Sequence, residues 1–247
     1  MLLKYSVCLS ERPVVEQNMD ASAEFITPRL DILPASQRRL WDEFVGVPTE
    51  FVLYGGTAIA LHLGHRESAD FDFFGDRNFD PAELLAKVPF MKGAKITQHE
   101  ADTLTGIVDR GGAVKVSFFG VPEIARLQTP LASADNRLKV ASLLDLAGMK
   151  AAVVQKRAEA KDYIDMDALI MDGHIDLSTA LAAGRAIYGA QFNPEITLKA
   201  LCFFDDGNLR QLPTGLKERL TAAVCAVDLE RLPVIGDRDR DSGETEP

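Results

Sequence analysis

The chain has 247 residues, 47% hydrophobic and 26% charged, a composition typical of a folded globular protein and unlike that of a disordered chain or a coiled coil. Its formal net charge is -10, because 37 Asp and Glu outnumber 27 Lys and Arg, and this excludes a general polyanion-binding protein. The three cysteines are far apart and lack CxxC spacing, which excludes a disulfide framework and a cysteine zinc site.

The first half of the chain is predicted to mix strands and helices. Acids alternate with aromatics over residues 70–74, the period of two expected of a strand. A capping residue followed by proline at Asp80 and Pro81 predicts the start of a helix, and the turn at 109–112 predicts a hairpin. The predicted helices are 35–45, 58–63 and 80–88, and the predicted strands are 51–54, 70–74, 94–99, 103–108 and 113–119.

After residue 130 the pattern changes to long helical periods rich in Ala and Leu. Helices are predicted at 137–157, 161–171, 177–188, 194–204 and 214–227. We therefore predict four parts, which are an N-terminal arm over 1–34, an α/β domain over 35–130, a helical domain over 131–233 and a disordered acidic tail over 234–247.

Two acids and two glycines lie close together in the first half. Because successive side chains of a strand point to opposite faces, Asp70 and Asp72 share one face and Phe71 takes the other. Two neighbouring carboxylates repel each other unless a cation lies between them, and Mg²⁺ prefers carboxylate and phosphate oxygens. A helix that follows Gly55 and Gly56 turns free N–H groups and a positive helix end to the same region, which suits a phosphate. Together the motifs predict phosphoryl or nucleotidyl transfer.

Each motif also has a purely structural interpretation. A glycine pair before a helix forms tight turns, and two acids on a strand fit an exposed face that pairs with Arg66. Thr57 adds a hydroxyl donor to the predicted phosphate site. Arg66 and Ser68 either orient the phosphate chain or pair with and cap the start of the acidic strand, and the sequence favours neither role. The chain lacks the GxxxxGK[ST] of P-loop ATPases and the Gly-x-Ser-x-Gly of serine hydrolases.

The run GGTAIALHLGHRESADFDFF resembles the first motif of the AbiEii/AbiGii toxin family, part of the DNA polymerase β-like nucleotidyltransferase superfamily. The later run DLAGMKAAVVQKRAEAKDYIDMDAL resembles the family's helical motifs, and the resemblance spans about residues 51–169. It implies an α+β chain with a minimal nucleotidyltransferase fold, in which a mixed sheet with flanking helices is followed by a C-terminal helical bundle that closes the nucleotide cleft.

The resemblance also implies roles for single residues. The positions that match the family's metal-binding acids are Asp70 and Asp72, and those that match its phosphate turn are Gly55, Gly56 and Thr57. Lys150 matches the motif lysine, and Asp162 and Asp165 match the acid-rich motif. The expected catalytic residues are Asp70, Asp72, Lys150 and Asp162, and the expected nucleotide-binding residues are Gly55, Gly56, Thr57, Arg66, Ser68, Lys115, Lys150, Arg157 and Asp165.

The helical motif also has a physical interpretation of its own. Lys150 and Arg157 lie seven residues apart on the predicted helix and so face the same way, where two cations would grip a triphosphate. The alternative is that Lys150 is a solvated lysine on an alanine-rich helix. Asp162 and Asp165 equally fit first-turn acids that favour the helix dipole.

One position departs from the superfamily pattern. Many nucleotidyltransferases place a third carboxylate on the strand predicted at 113–119, where it takes the proton from the attacking hydroxyl. Here the position holds Ser117, with Lys115 on the same face. Serine is a poor base, which calls the three-carboxylate mechanism into question, and Lys115 is expected to neutralise phosphate. The alternative is a hairpin whose outward residues meet water.

The leading hypothesis is a toxin-type nucleotidyltransferase that uses Mg²⁺ or Mn²⁺ and a nucleoside triphosphate. The resemblance implies a cognate antitoxin and RNA such as tRNA as acceptor. No apolar run approaches the roughly 18 residues of a membrane span, so we expect a cytoplasmic protein without a membrane partner. A catalytically silent module that binds a nucleotide or a partner is the alternative, motivated by Ser117, and phosphoryl transfer from the same cleft is a third.

Overall fold

The computed structural model describes residues 24–235. Residues 1–23, assigned above to the arm, and 236–247, most of the expected acidic tail, lie outside the described residues, and the division into domains stays a prediction. The strands are β1 Phe25–Ile26, β2 Phe51–Tyr54, β3 Phe71–Gly75, β4 Lys95–Glu100, β5 Thr103–Asp109, β6 Ala113–Gly120, β7 Leu131–Ser133 and β8 Lys139–Val140. The α-helices are α1 Ala35–Trp41, α2 Gly55–Leu63, α3 Pro81–Lys87, α4 Leu143–Val153, α5 Ala160–Met171, α6 Leu177–Tyr188, α7 Pro194–Leu201 and α8 Thr214–Cys225. Short 3-10 turns lie between several of these elements.

The strands form one mixed sheet in the order β1-β7-β8-β2-β3-β6-β5-β4. Strand β3 lies inside it, antiparallel to β2 and parallel to β6. The register places Asp72 opposite Tyr54 on one side and Ser117 on the other. With eight α-helices around this sheet in the described part of the chain, the α+β class predicted from the sequence is confirmed.

Strand β3 shows why alternation of acids and aromatics makes a strand. Phe71 and Phe73 are fully buried and pack edge-on against Phe44, while Phe73 also stacks on Phe118 of β6 with ring centroids 5.0 Å apart. Asp72 lies on the opposite face and is half-buried. Aromatic pairs of this kind add stabilisation beyond their buried area, so the sheet core fixes the strand that carries the acid.

The helix predicted at 137–157 is wrong at both ends. Residues 139–140 instead form β8, and α4 begins at Leu143 after Ser142, whose hydroxyl accepts from the Asp145 backbone N–H at 3.0 Å. The pair Ser142 and Asp145 has the Ser-x-x-acid spacing of a capping box, a signal that the sequence carried. At the other end the Ala151 carbonyl accepts a hydrogen bond from the Thr197 hydroxyl of α7 at 2.8 Å, where a longer helix would continue.

Three short strands were not predicted. They are β1, β7 and β8, each of two or three residues, too few to show a period. β7 and β8 pair locally with each other, but their other partners are distant in the sequence, since β1 joins β7 and β8 joins β2 through Leu53 and Val140. None of the helices within residues 24–235 is both long enough and apolar enough to cross a bilayer.

Candidate active site

A cavity of about 490 Å³ opens where the end of β2 and the start of α2 meet strands β3 and β6 and helices α4 and α5. This volume is in the range of small-molecule sites. The lining residues are Gly55, Gly56, Thr57, Ile59, Arg66, Glu67, Ser68, Ala69, Asp70, Asp72, Phe74, Lys115, Leu146, Met149, Lys150, Val153, Arg157, Lys161 and Asp162. All the residues singled out from the sequence line this cavity except Asp165, which lies behind its wall, and the buried Ser117.

The glycine turn lies directly against Asp72. Gly55 has a φ of +76°, and a Cβ placed on it would be 3.2 Å from Asp72 Oδ2. Helix α2 begins at this residue, and the side chain of Tyr54 at its N-cap makes no capping hydrogen bond. The first N–H groups of α2 therefore lie at the cavity wall beside a carboxylate, and the N-terminus of a helix is a position that can bind an anion.

Asp70 and Asp72 differ in environment. Asp70 precedes β3 and is exposed, whereas Asp72 is half-buried within the strand. Burial raises the pKa of Asp72, and the charge of Asp70 adds to that rise, while Lys115 and the Ser117 hydroxyl oppose it. A cation close to a carboxyl group whose pKa is raised by burial would stabilise the ionised form of that group.

The segment that carries Asp70 is fixed by hydrogen bonds. The Thr57 hydroxyl is 2.7 Å from the Ser68 hydroxyl and also donates to the Asp70 carbonyl. Gln37 Nε2 donates to the Ala69 carbonyl at 3.0 Å. Both hydroxyls are buried, so within this structure Thr57 and Ser68 bind each other and the backbone of the acidic segment.

The Asp165 carboxylate is contacted by three nitrogen-bearing side chains from two parts of the fold. Its side chain has no exposure and lies 2.6 Å and 2.9 Å from Arg66 Nε and Nη2, 2.7 Å from His65 Nε2 and 2.8 Å from Lys150 Nζ. Burial alone would raise the pKa of this carboxyl, but the hydrogen bonds from His65 and Arg66 and the charge of Lys150 hold it well below its usual range. The carboxylate thus ties α5 to the segment after α2.

Asp162 is the second buried carboxylate of α5. Its oxygens are 2.8 Å from Lys150 Nζ and 2.7 Å from Arg157 Nε. Burial opposes ionisation, but Arg157 and Lys150 outweigh it and lower the pKa of Asp162. Lys150 is itself buried, and because its ammonium also pairs with Asp165 it lies between the two carboxylates.

Two expectations about the helical motif are corrected by these contacts. Arg157 does not share a helix with Lys150, because α4 ends at Val153 and Arg157 lies in the connection to α5. Lys150 is not a solvated surface lysine, since its side chain is only 7% exposed. Both cations are paired with Asp162.

Other charged residues of the cavity are exposed. Lys115 and Lys161 lie close enough to Asp72 to lower its pKa, and Lys161 Nζ is 3.0 Å from Glu159 Oε2. Sequence reasoning missed Lys161, although it directly precedes Asp162 in the motif KDYID. It also missed His65, because the contact of its ring with Asp165 joins residues a hundred positions apart.

Ser117 of β6 occupies the strand position at which many nucleotidyltransferases have a third carboxylate. It is fully buried beside Asp72, and its hydroxyl has no hydrogen-bond partner of good geometry among residues 24–235. The hydroxyl is near enough to Asp72 to favour its ionised form electrostatically. The described strand β6 therefore carries no acid at the position paired with Asp72.

Replacing Gly56 with alanine is expected to weaken nucleoside triphosphate binding by about tenfold, the size of one charge-assisted hydrogen bond. A Cβ on Gly56 would lie 2.2 Å from Arg66 Nη2 and 3.2 Å from Asp165 Oδ2, so Arg66 must leave its place over the turn. Calorimetric titration with a triphosphate measures the change. Gly215→Ala is the control, because its backbone is helical and a Cβ there would meet only Arg219 Nη1, at 3.6 Å. Equal affinities of wild type and Gly56→Ala would contradict the prediction.

Comparison with known proteins agrees with this geometry. Residues 39–224 match the family model for the nucleotidyl transferase AbiEii toxin of type IV toxin–antitoxin systems. An uncharacterized protein of Aquifex aeolicus is 29% identical over 178 residues, which are 70% of this chain and 84% of that protein.

Two solved structures are similar in fold. The nucleotidyltransferase toxin MenT4 of Mycobacterium tuberculosis has a TM-score of 0.50 at 15% identity, covering 84% of this chain and 92% of that chain. A proposed nucleotidyltransferase from H. pylori has a TM-score of 0.48 at 17% identity, covering 76% and 90%. The expected nucleotidyltransferase fold is thus confirmed by MenT4, and the family model shows that the chain belongs to the AbiEii nucleotidyltransferase toxins of type IV toxin–antitoxin systems.

Proposed function

We propose that this nucleotidyltransferase uses Mg²⁺, held by Asp70 and Asp72, to transfer a nucleotidyl group from a nucleoside triphosphate to a hydroxyl of an acceptor. The observation that carries the proposal is the shared cavity of the two aspartates and the N-terminus of α2, with Asp72 Oδ2 3.2 Å from a Cβ placed on Gly55. A phosphate at that N-terminus and a cation on Asp72 would lie side by side.

The carboxylates fit a divalent cation. Asp70 and Asp72 supply the hard oxygen ligands that Mg²⁺ and Mn²⁺ prefer, and Mg²⁺ is usually held by one or two carboxylates plus substrate phosphates. Among residues 24–235 no group of three or more His, Cys, Asp or Glu side chains is arranged to hold a metal, so the proposed cation depends on further ligands that substrate phosphates would supply. When bound, the metal supplies neutralisation of phosphate oxygens and of the charge that develops during transfer.

The basic side chains of the cavity fall into three groups. Lys115 and Lys161 are exposed at the cavity and bind the phosphate chain directly, since neither is tied to a buried carboxylate. Arg66 contributes the N–H groups that Asp165 and the Glu67 carbonyl leave free. Lys150 and Arg157 act mainly by holding Asp162, so that the wall of the cavity keeps a net positive charge.

Part of the cavity lining is apolar and suits a nucleobase. Leu146, Met149 and Val153 follow one face of α4 at helical spacing, and Ile59 of α2 also lines the cavity. A base packed there would gain from apolar contact while the phosphates reach the glycine turn. Thr57 and Ser68 take part by fixing the Asp70 segment.

RNA such as tRNA is the acceptor class we propose to test first, with a cognate antitoxin as the protein's partner in the cell and the cytoplasm as its location. The support is the chain's membership of a toxin–antitoxin family and the exposed lysines at the cavity. Basic side chains at the mouth of a cleft attract a polyanion even when the whole protein is acidic.

Incubation of the purified protein with each α-labelled triphosphate, Mg²⁺ and total RNA tests the proposal. We expect label in RNA that disappears when Mg²⁺ is chelated. Mass spectrometry of the product separates addition of a nucleotide from addition of a phosphate. Calorimetry that shows triphosphate binding without turnover, after wide acceptor screening, would instead favour the silent module motivated by Ser117.

A further inference from the structure

Four carboxylates line the cavity, and three of them have assigned partners. They are Glu67, Asp70, Asp72 and Asp162. Asp70 and Asp72 are the proposed metal acids. Asp162 is fully buried and its two oxygens bind Lys150 and Arg157, so it is not available to accept a further proton from a substrate. Glu67 remains.

The Glu67 side chain is exposed, and within residues 24–235 no Lys, Arg or His lies within ion-pair distance of it. It also takes no part in a side-chain hydrogen bond among the same residues; Arg66 Nη1 donates to its backbone carbonyl at 2.9 Å. Glu67 does not join Asp70 and Asp72 in a three-residue metal cluster. It is therefore an exposed carboxylate among the residues that line the cavity, without an ion-pair partner among residues 24–235.

The backbone around Glu67 is held on both sides. Arg66 before it is clamped by Asp165, and Ser68 after it is bonded to the Thr57 hydroxyl. A general base must lie within hydrogen-bond reach of the proton it removes, directly or through one water, and a fixed segment limits how far the Glu67 backbone can move from the cavity.

We propose that Glu67 is the general base of the transfer reaction, in the role that Ser117 on β6 cannot fill. This rests on the proposed function. The acceptor oxygen forms a bond to the α-phosphorus, the bond from that phosphorus to the bridging oxygen breaks, and pyrophosphate leaves. The proton of the acceptor hydroxyl passes to the Glu67 carboxylate and then to solvent.

Glu67→Gln is expected to lower kcat about 10²-fold, the usual contribution of a general base, with the KM for the triphosphate nearly unchanged. Glu67→Asp should retain part of the activity, and formate added to Glu67→Ala should restore part of it, which a structural role would not allow. Glu100→Gln, an exposed glutamate of β4, is the control.

Steady-state labelling with the full chain, Mg²⁺ and the acceptor found for the wild type gives these constants. An unchanged kcat in Glu67→Gln, or an effect on KM alone, would overturn the inference while leaving the proposed function standing. A wild type that transfers nothing to any acceptor would overturn both.

Discussion

Asp72→Asn is expected to lower nucleotidyl transfer by about 10³-fold or more while leaving the protein folded. Asparagine keeps the shape of the side chain but removes the charge that the metal and the phosphate chain require. Single-turnover labelling measures the loss, and Asp70→Asn should lose activity as well. Transfer at near wild-type rate by either variant would contradict the assignment of the two acids.

The same substitution has an opposite effect on stability. Because the folded-state pKa of Asp72 is raised, mainly by burial, its ionised form destabilises the folded protein at neutral pH. The stability that comes with the protonated form is complete below the ordinary pKa and is lost as pH rises through the folded pKa. In metal-free buffer Asp72→Asn should therefore equal or exceed the wild type in urea unfolding at pH 7, with the difference shrinking in acid.

Asp165→Ala is expected to lower the free energy of unfolding by about 3–5 kcal/mol, the cost of breaking a buried ion pair from one side. The substitution leaves Lys150, Arg66 and His65 without the carboxylate that they share. Urea denaturation followed by circular dichroism gives the value. Glu195→Ala is the control, since Glu195 pairs with Lys199 at 3.6 Å with both side chains more than half exposed, and such a pair contributes at most about 1 kcal/mol.

The pH dependence of that effect follows from the lowered pKa of Asp165. A carboxyl whose folded-state pKa is depressed contributes its full stability above the ordinary aspartate value of about 3.9 and loses it as pH falls through the folded pKa. The gap between wild type and Asp165→Ala should persist down to about pH 5 and narrow below about pH 4. A gap that closes already near neutral pH would show that the carboxylate is not held by these cations.

Much of the candidate site was predictable because it is local in the sequence. Gly55, Asp70 and Asp72 lie within one block, where a glycine turn and an alternating strand fix each side chain through backbone geometry alone. Strand β2 and helix α6 were predicted with the bounds that the structure shows, since their apolar patterns are clear and their ends carry turn or capping residues.

The partners of the charged residues were not predictable. From the sequence, Lys150 fits either a solvated helix surface or a phosphate grip, and Asp165 fits a first-turn acid. Only the packing of α4 on α5 shows that they bind each other. Arg157 was placed on the wrong element, because the helical period of the sequence continues to Arg157 whereas α4 ends at Val153. Near that end the Thr197 hydroxyl of α7 donates to the Ala151 carbonyl, a contact between distant segments. Interactions between distant segments decide such cases, and they leave no local pattern.

The carboxylate of Asp165 also limits how the cleft can move. It receives donors from the segment after α2 and from α4, so separating the two walls would mean pulling a shielded charge away from several partners at once. Breaking these ion pairs would cost a few kcal/mol of free energy. A conformation with the cleft walls separated would therefore be populated by fewer than about one molecule in a hundred. We therefore expect the cleft to be preformed, and the association rate of a nucleotide to depend little on a hinge motion.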